Sequence, residues 1–281
     1  MVGYKWGLDR YDLYDKAAAV PVRTMSEARR RAGLPDCDHC GRKIEPEDDT
    51  SFYGEYMGDY RDVHRDCAKQ LAEREKRYEA EAQAAYEREQ AEVIAWMQQK
   101  LAQDSIIIDV HTADVYGEVV DVCVLHVDGR VLIDERFKPL GEIEEGATAV
   151  HGLTLEMLAD RPLFSTVHER LKEVCDSAEN VLFYGHWHDA RCIDESCEAH
   201  DLPSLKLSRL EREDVCVMNQ VGIYYGVEHG YHYDRREREP YGERSALGDC
   251  RGTLGLMERM ARQQQTAAAA TATNENQPPL A

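Results

Sequence analysis

The sequence predicts an α/β domain built on a mixed sheet, preceded by a small Cys/His segment and a long helix. Three observations predict it. Residues 104–262 open with strand-like runs and then alternate strand-like and helix-like patterns. Residues 68–103 contain neither Gly nor Pro and are rich in Ala, Glu, Gln, Lys and Arg. Two short Cys/His pairs fall within residues 36–70. The chain has 281 residues, enough for one or two domains. Its formal net charge of −20 excludes broad electrostatic adhesion to nucleic acid or anionic membrane, so any such contact is expected to be local or bridged by cations. No stretch approaches the ~20 apolar residues of a membrane span. Met1–Arg10 lack an apolar run, so no export signal and a cytoplasmic location are expected. Nine cysteines then fit a reduced protein with some thiolates on metal better than a disulfide framework.

Taken in order, residues 1–35 are a polar segment without pattern. Cys37-Asp-His-Cys40 and His64-Arg-Asp-Cys67 form two pairs separated by 23 residues. Zinc takes four N or S ligands in a tetrahedron, and each pair lets two converge from one turn. Gly41 follows the first pair, where a tight knuckle needs a permissive backbone. Cys67 opens the long helix. The arrangement resembles a treble-clef or LIM-like zinc finger spanning 36–70, with structural zinc, since three thiolates and an imidazole leave no open position. His39 is a spare nitrogen of weaker claim. The residues between the pairs, including Glu45, Glu47, Asp48 and Asp49, are acidic, favouring a protein contact or an architectural role. Residues 68–103 read as a solvated helical spacer, roughly 50 Å long at ~1.5 Å per residue; its apolar positions lack a sustained heptad. A protein partner would come through the finger or this helix.

In the second half, Ser105–Val110 reads as a buried strand. Val119–Val127 and Val131–Phe137 read as a hairpin around Asp128-Gly129. Thr154–Leu158 and Phe164–Cys175 read as helices, Val181–Tyr184 as a strand, then a helix to about His200 and a last helix over Arg244–Met260. Residues 263–281 are low-complexity and expected to be disordered. Cys123, Cys175, Cys192, Cys197, Cys216 and Cys250 read mostly as buried small hydrophobes. His188 with Cys192 is a weak additional metal pair. Residues 231–238 mix aromatics with Arg235, Arg236 and Arg238 and with acids, reading as a solvated face before a phosphate-binding loop.

Asp109 ends a strand run, Asp189 follows a strand, and Asp249 lies on the last helix. Carboxylates gathered from separate elements are the oxygen ligands Mg²⁺ or Mn²⁺ prefers. Five strings then occur in order: Ile107-Ile-Asp109-Val-His111, the Glu118–Gly129 strand and turn, Phe137–Ala159 with His151-Gly-Leu-Thr, Tyr184-Gly-His-Trp-His-Asp189, and Arg244-Ser-Ala-Leu-Gly-Asp249. With these, residues 104–262 resemble the DEDD (DnaQ-like) 3′–5′ exonuclease superfamily. The resemblance implies a ribonuclease H-like mixed sheet flanked by helices. It implies divalent ions, Mg²⁺ or Mn²⁺, on Asp109, Asp189 and Asp249, and single-stranded DNA or RNA ends as substrate. His151, Tyr184 and Trp187 stand where substrate contacts are expected.

The departures matter as much. The family's Glu is His111 here, its catalytic His is Arg244, and the Asn before its second Asp is Gly185. Two readings follow. In one, His111 is a neutral ligand that shifts the preference from Mg²⁺ toward Mn²⁺, Zn²⁺ or Fe²⁺. Arg244 then clamps phosphate, and the base is a metal-bound hydroxide or a nearby residue such as Glu243, His229 or His232. In the other, catalysis is lost and the domain binds a nucleic-acid end or a protein.

Overall fold

The structure is a computed structural model that describes residues 37, 39–43, 50–56, 59–226 and 244–274, with side chains omitted at 50–63, 65, 68 and 264–274. Residues 1–35, the acidic positions 45–49, the 231–238 loop, His229, His232 and Glu243 lie outside it. The chain divides into two compact units, 1–87 and 88–281.

In the first unit, strands β1 (Thr50–Tyr56) and β2 (Asp59–His64) pair antiparallel, with Thr50 opposite His64. This hairpin occupies the spacing between the two ligand pairs. Helix α1 (Arg65–Ala102) begins directly after it and runs 38 residues, those from Arg88 on belonging to the second unit.

The second unit is centred on a four-stranded sheet in the order β5-β4-β3-β6. Its strands are β3 (Ser105–Thr112), β4 (Val119–His126), β5 (Val131–Arg136) and β6 (Asn180–Phe183). β3–β4 and β4–β5 are antiparallel, while β6 joins β3 in parallel, with Ile108 opposite Phe183. This is a mixed sheet, as expected. The β4–β5 turn places Gly129 at φ 92°, a conformation side chains resist, and Asp128 closes it by accepting from the Arg130 N–H.

Alternation along the central strands feeds two cores. Ile106, Ile108, Val110, Val122 and Val124 point to one face. Against it pack α4 (His168–Ser177) and α5 (His186–Ala199) through Leu171, Ala190, Cys192, Ile193 and Cys197. Ile107, Cys123 and Leu125 point to the other face. There they meet α7 (Val217–Tyr225) and α8 (Ala246–Asn274) through Val217, Val221, Ala246, Cys250, Met257 and Met260. Helices α2 (Glu145–His151) and α3 (Leu155–Leu158) follow β5, and α6 (Arg212–Val215) precedes α7.

Two expectations change. The end of α1 is not a solvated spacer: Val93 and Met97 are buried in the second core, and Lys100 donates to the Asn180 side chain at 2.6 Å. The last helix does not stop near Met260 but continues to Asn274, through an Ala-rich run of high helix propensity that was expected to be disordered.

Candidate metal centre

The face of the sheet that meets α8 carries a run of polar groups where the apolar alternation ends. Residues 107, 109 and 111 share that face, so Asp109 and His111 follow Ile107 toward the helix. Directly opposite His111 on β4 stands Asp121, on the same face as Cys123. The register slips between His111 and Thr112, a bulge that ends regular pairing beside these side chains.

Helix α8 is fixed over them by its first turn. The Ser245 hydroxyl accepts from the Gly248 N–H in an N-cap, and an Asp121 carboxylate oxygen accepts from the Ala246 N–H at 3.3 Å. The Cys250 thiol reaches the carbonyls of Ile107 and Cys123, which brings the helix close to the strands. Asp249 consequently projects to His111, with Oδ2 3.1 Å from Nε2.

One ligand atom from each of Asp109, His111 and Asp249 lies within 4.8 Å of the others. Two carboxylates and an imidazole are a donor set suited to a divalent cation, with softer preference than carboxylates alone. Asp189 is not among these three. It sits in the first turn of α5, with Oδ1 3.1 Å from Nδ1 of His188. Asp109 and Asp189 both act electrostatically on the Cys250 thiol, which burial pushes well above its ordinary value.

His188 bonds Asp189 with one ring nitrogen and donates to the Val115 carbonyl with the other, at 2.7 Å. The Asp189 carboxylate, then Cys192, pushes its pKa up to about 11, which favours the protonated ring. That use of both nitrogens leaves none for a metal shared with Cys192.

His151 is buried and stacks on His111, with centroids 5.3 Å apart. Its Nδ1 accepts from the Leu153 N–H, so Nε2 carries the proton it donates to the Thr112 carbonyl. Burial lowers its pKa, consistent with this neutral ring. His151 therefore props His111 rather than facing an open surface. Tyr184, expected at a substrate contact, is packed into the second core at 5% exposure. Arg244 is exposed and donates to the Ala149 carbonyl at 3.1 Å. Trp187 is 60% exposed, edge-on to Tyr116, and Arg191 lies over the Tyr116 ring at 4.8 Å.

Asp121 was not singled out from the sequence. Its carboxylate is buried, 3.6 Å from Nδ1 of His111 and 3.5 Å from Nε of Arg136. Burial raises its pKa, against opposing pulls from the Ala246 N–H, His111 and Arg136. Among the described residues, Nδ1 of His111 and Oδ1 of Asp121 are buried without a hydrogen-bond partner. Such groups cost about 1–3 kcal/mol each. The only available signal was a charge inside the apolar run of Val119–Leu125.

In the first unit, Cys37, Cys40, His64 and Cys67 also bring ligand atoms within 4.8 Å of one another. Cys40 Sγ lies 3.5 Å from His64 Nδ1, and the Gly41 N–H closes the knuckle onto the Cys37 carbonyl. Arg42 draws the Cys40 thiol down to about 6, toward the thiolate that binds metal. The donors fit zinc. His39 is turned to Gln70 instead.

No family model matches the chain. A curated protein of Escherichia phage 186, "Uncharacterized exonuclease CP81", is 26% identical over 176 residues, 58% of this chain and 90% of its own. The chain has an exonuclease relative. Among solved structures, exonuclease X in complex with 5′ overhanging duplex DNA is 22% identical over 56% of this chain and 90% of that one, with TM-score 0.40. The nuclease domain of 3′hExo, a DEDDh family member bound to rAMP, is 13% identical over 57% of this chain and 92% of that one, with TM-score 0.44. Among the described residues no helix is long and apolar enough to cross a membrane.

Proposed function

We propose that the chain is a metal-dependent nuclease that removes nucleotides from the 3′ ends of single-stranded DNA or RNA. The observation that carries this reading is the convergence of Asp109 and His111 from β3 with Asp249 from α8. The ordered motifs and the phage relative support it.

Asp109, His111 and Asp249 would hold a divalent ion, with Asp189 completing the acidic surroundings; the ion supplies charge neutralisation at phosphate and activation of water. The chain's own groups do the rest. His188, a cation beside Asp189, balances one carboxylate and ties α5 to the Val115 segment. Trp187, Tyr116 and Arg191 offer an exposed aromatic and cationic surface on which an unpaired base can stack. A guanidinium offers donors and no acceptor, so the role of Arg244 is phosphate contact if it leaves the Ala149 carbonyl. The finger would carry structural zinc.

The loss of the family's Glu and His favours a second reading, a nuclease-like module that binds ends without turnover. Incubating 5′-labelled single strands with the full chain and Mg²⁺ or Mn²⁺ separates the two. A ladder of shortening products that disappears in Asp109→Ala supports the enzyme. End binding with no ladder under either ion supports the module.

A further inference from the structure

His111 stands between two carboxylates. Nε2 faces Asp249 at 3.1 Å, and Nδ1 faces Asp121 at 3.6 Å. A neutral imidazole has one proton and can donate to only one of them. The other nitrogen then presents its lone pair to an anionic oxygen. Three arrangements relieve this: a ring protonated on both sides, a protonated Asp121 donating to Nδ1, or a cation shared by Nε2 and Asp249 with the single proton on Nδ1. The last is the one that uses the convergence of Asp109 and Asp249 on Nε2. It also gives the buried Nδ1–H an acceptor, the carboxylate that the fold has placed opposite it across the β3–β4 pair.

We propose that Asp121 is a positioning residue for the cation site: its carboxylate attracts the Nδ1–H of His111, holding the proton on that nitrogen, and so aims the Nε2 lone pair at the space shared with Asp109 and Asp249. This rests on the metal reading above. The backbone explains why Asp121 can do it. The same oxygen, Oδ2, accepts from the Ala246 N–H and lies near Arg136, so the carboxylate is held from three sides while α8 is docked. His151 stacks on the ring's face and stops it from turning away. An aspartate at 121 thus accompanies a histidine at 111; opposite a glutamate it would add repulsion instead. Partners of metal-bound histidines in this role change metal affinity by about 10–100-fold when removed.

The test uses the full chain with its finger zinc in place and Mn²⁺ as probe. Calorimetry should show Mn²⁺ binding that Asp109→Ala abolishes, and Asp121→Asn should weaken it by about 10–100-fold without lowering the melting temperature measured before Mn²⁺ is added. In a His111→Glu background the sign should reverse: Asp121→Asn should leave Mn²⁺ affinity equal or improve it, because it removes a like charge. A residue that only supports the fold would cost affinity in both backgrounds. Mn²⁺ binding that ignores Asp109→Ala overturns the metal reading and this proposal with it. Binding that needs Asp109 but ignores Asp121→Asn, or the same loss in both backgrounds, overturns the proposal alone. Nitrogen-15 spectra of the Mg²⁺-saturated protein give a readout that needs no variant. A His111 ring protonated at Nδ1 only is expected; protonation at Nε2, or at both nitrogens, refutes the assignment.

Discussion

At the scale of single residues, the imidazole of His111 sets the chemistry of the proposed site. It places one negative charge fewer beside Asp109 than a carboxylate at that position would, so Mg²⁺ should bind weakly relative to Mn²⁺. His111→Glu is expected to raise Mg²⁺ affinity and Mg²⁺-dependent cleavage, and more so when combined with Asp121→Asn, which removes the facing carboxylate. Unchanged Mg²⁺ affinity in the double variant would count against His111 as a ligand. His151 gives a pH prediction. Its folded pKa lies below the ordinary 6.5, so the folded state holds fewer protons than the unfolded one on the acid side. Stability should therefore be full above about pH 6.5 and fall as the pH drops through that value. Thermal melts between pH 7.5 and 5.5 should show a steeper decline for the wild type than for His151→Gln.

At the scale of elements, the strands were legible and several helices were not. Ser105-Ile-Ile-Ile and the Asp128-Gly129 turn announce β3 and the β4–β5 hairpin through β-branched runs and a turn residue of permitted geometry. Helix α7, Val217–Tyr225, went unread because Val, Ile and Tyr favour strands locally, and burial of Val217 and Val221 against the sheet decides its state. The strings around Asp109 and Asp249 pointed to the site, yet their distance, and the part played by Asp121, depend on a register and a helix dock that no single string encodes. The end of α1 is the clearest case. Its few apolar residues looked like an unpartnered helix, but Met97 is wholly buried. Met97→Ala should destabilise the sheet-bearing unit by about 2–5 kcal/mol, measured by urea unfolding of the full chain. A loss below about 0.5 kcal/mol would return α1 to the role of a spacer.

Over the whole molecule, a net charge of −20 limits how nucleic acid can be held. If two or three cations such as Arg191 and Arg244 contact phosphate, single-strand affinity should fall with a log–log salt slope of only about −1.4 to −2.1. A slope several-fold steeper would reveal a basic surface not accounted for by these residues. Cys40→Ser should abolish one zinc equivalent and expose residues 36–67 to protease, while residues 104–262 stay resistant, because ligand bonds stand in for the core the finger lacks. A protected finger in the zinc-free variant would refute that dependence. One further consequence lies in Cys250, a free thiol with no exposed surface, trapped between α8 and the backbones of β3 and β4. An alkylating reagent can reach it only when the helix lifts. Its labelling rate is therefore a clock for the opening of the very seam that brings Asp249 to His111, and a cation bridging that seam should slow the clock in proportion to its occupancy.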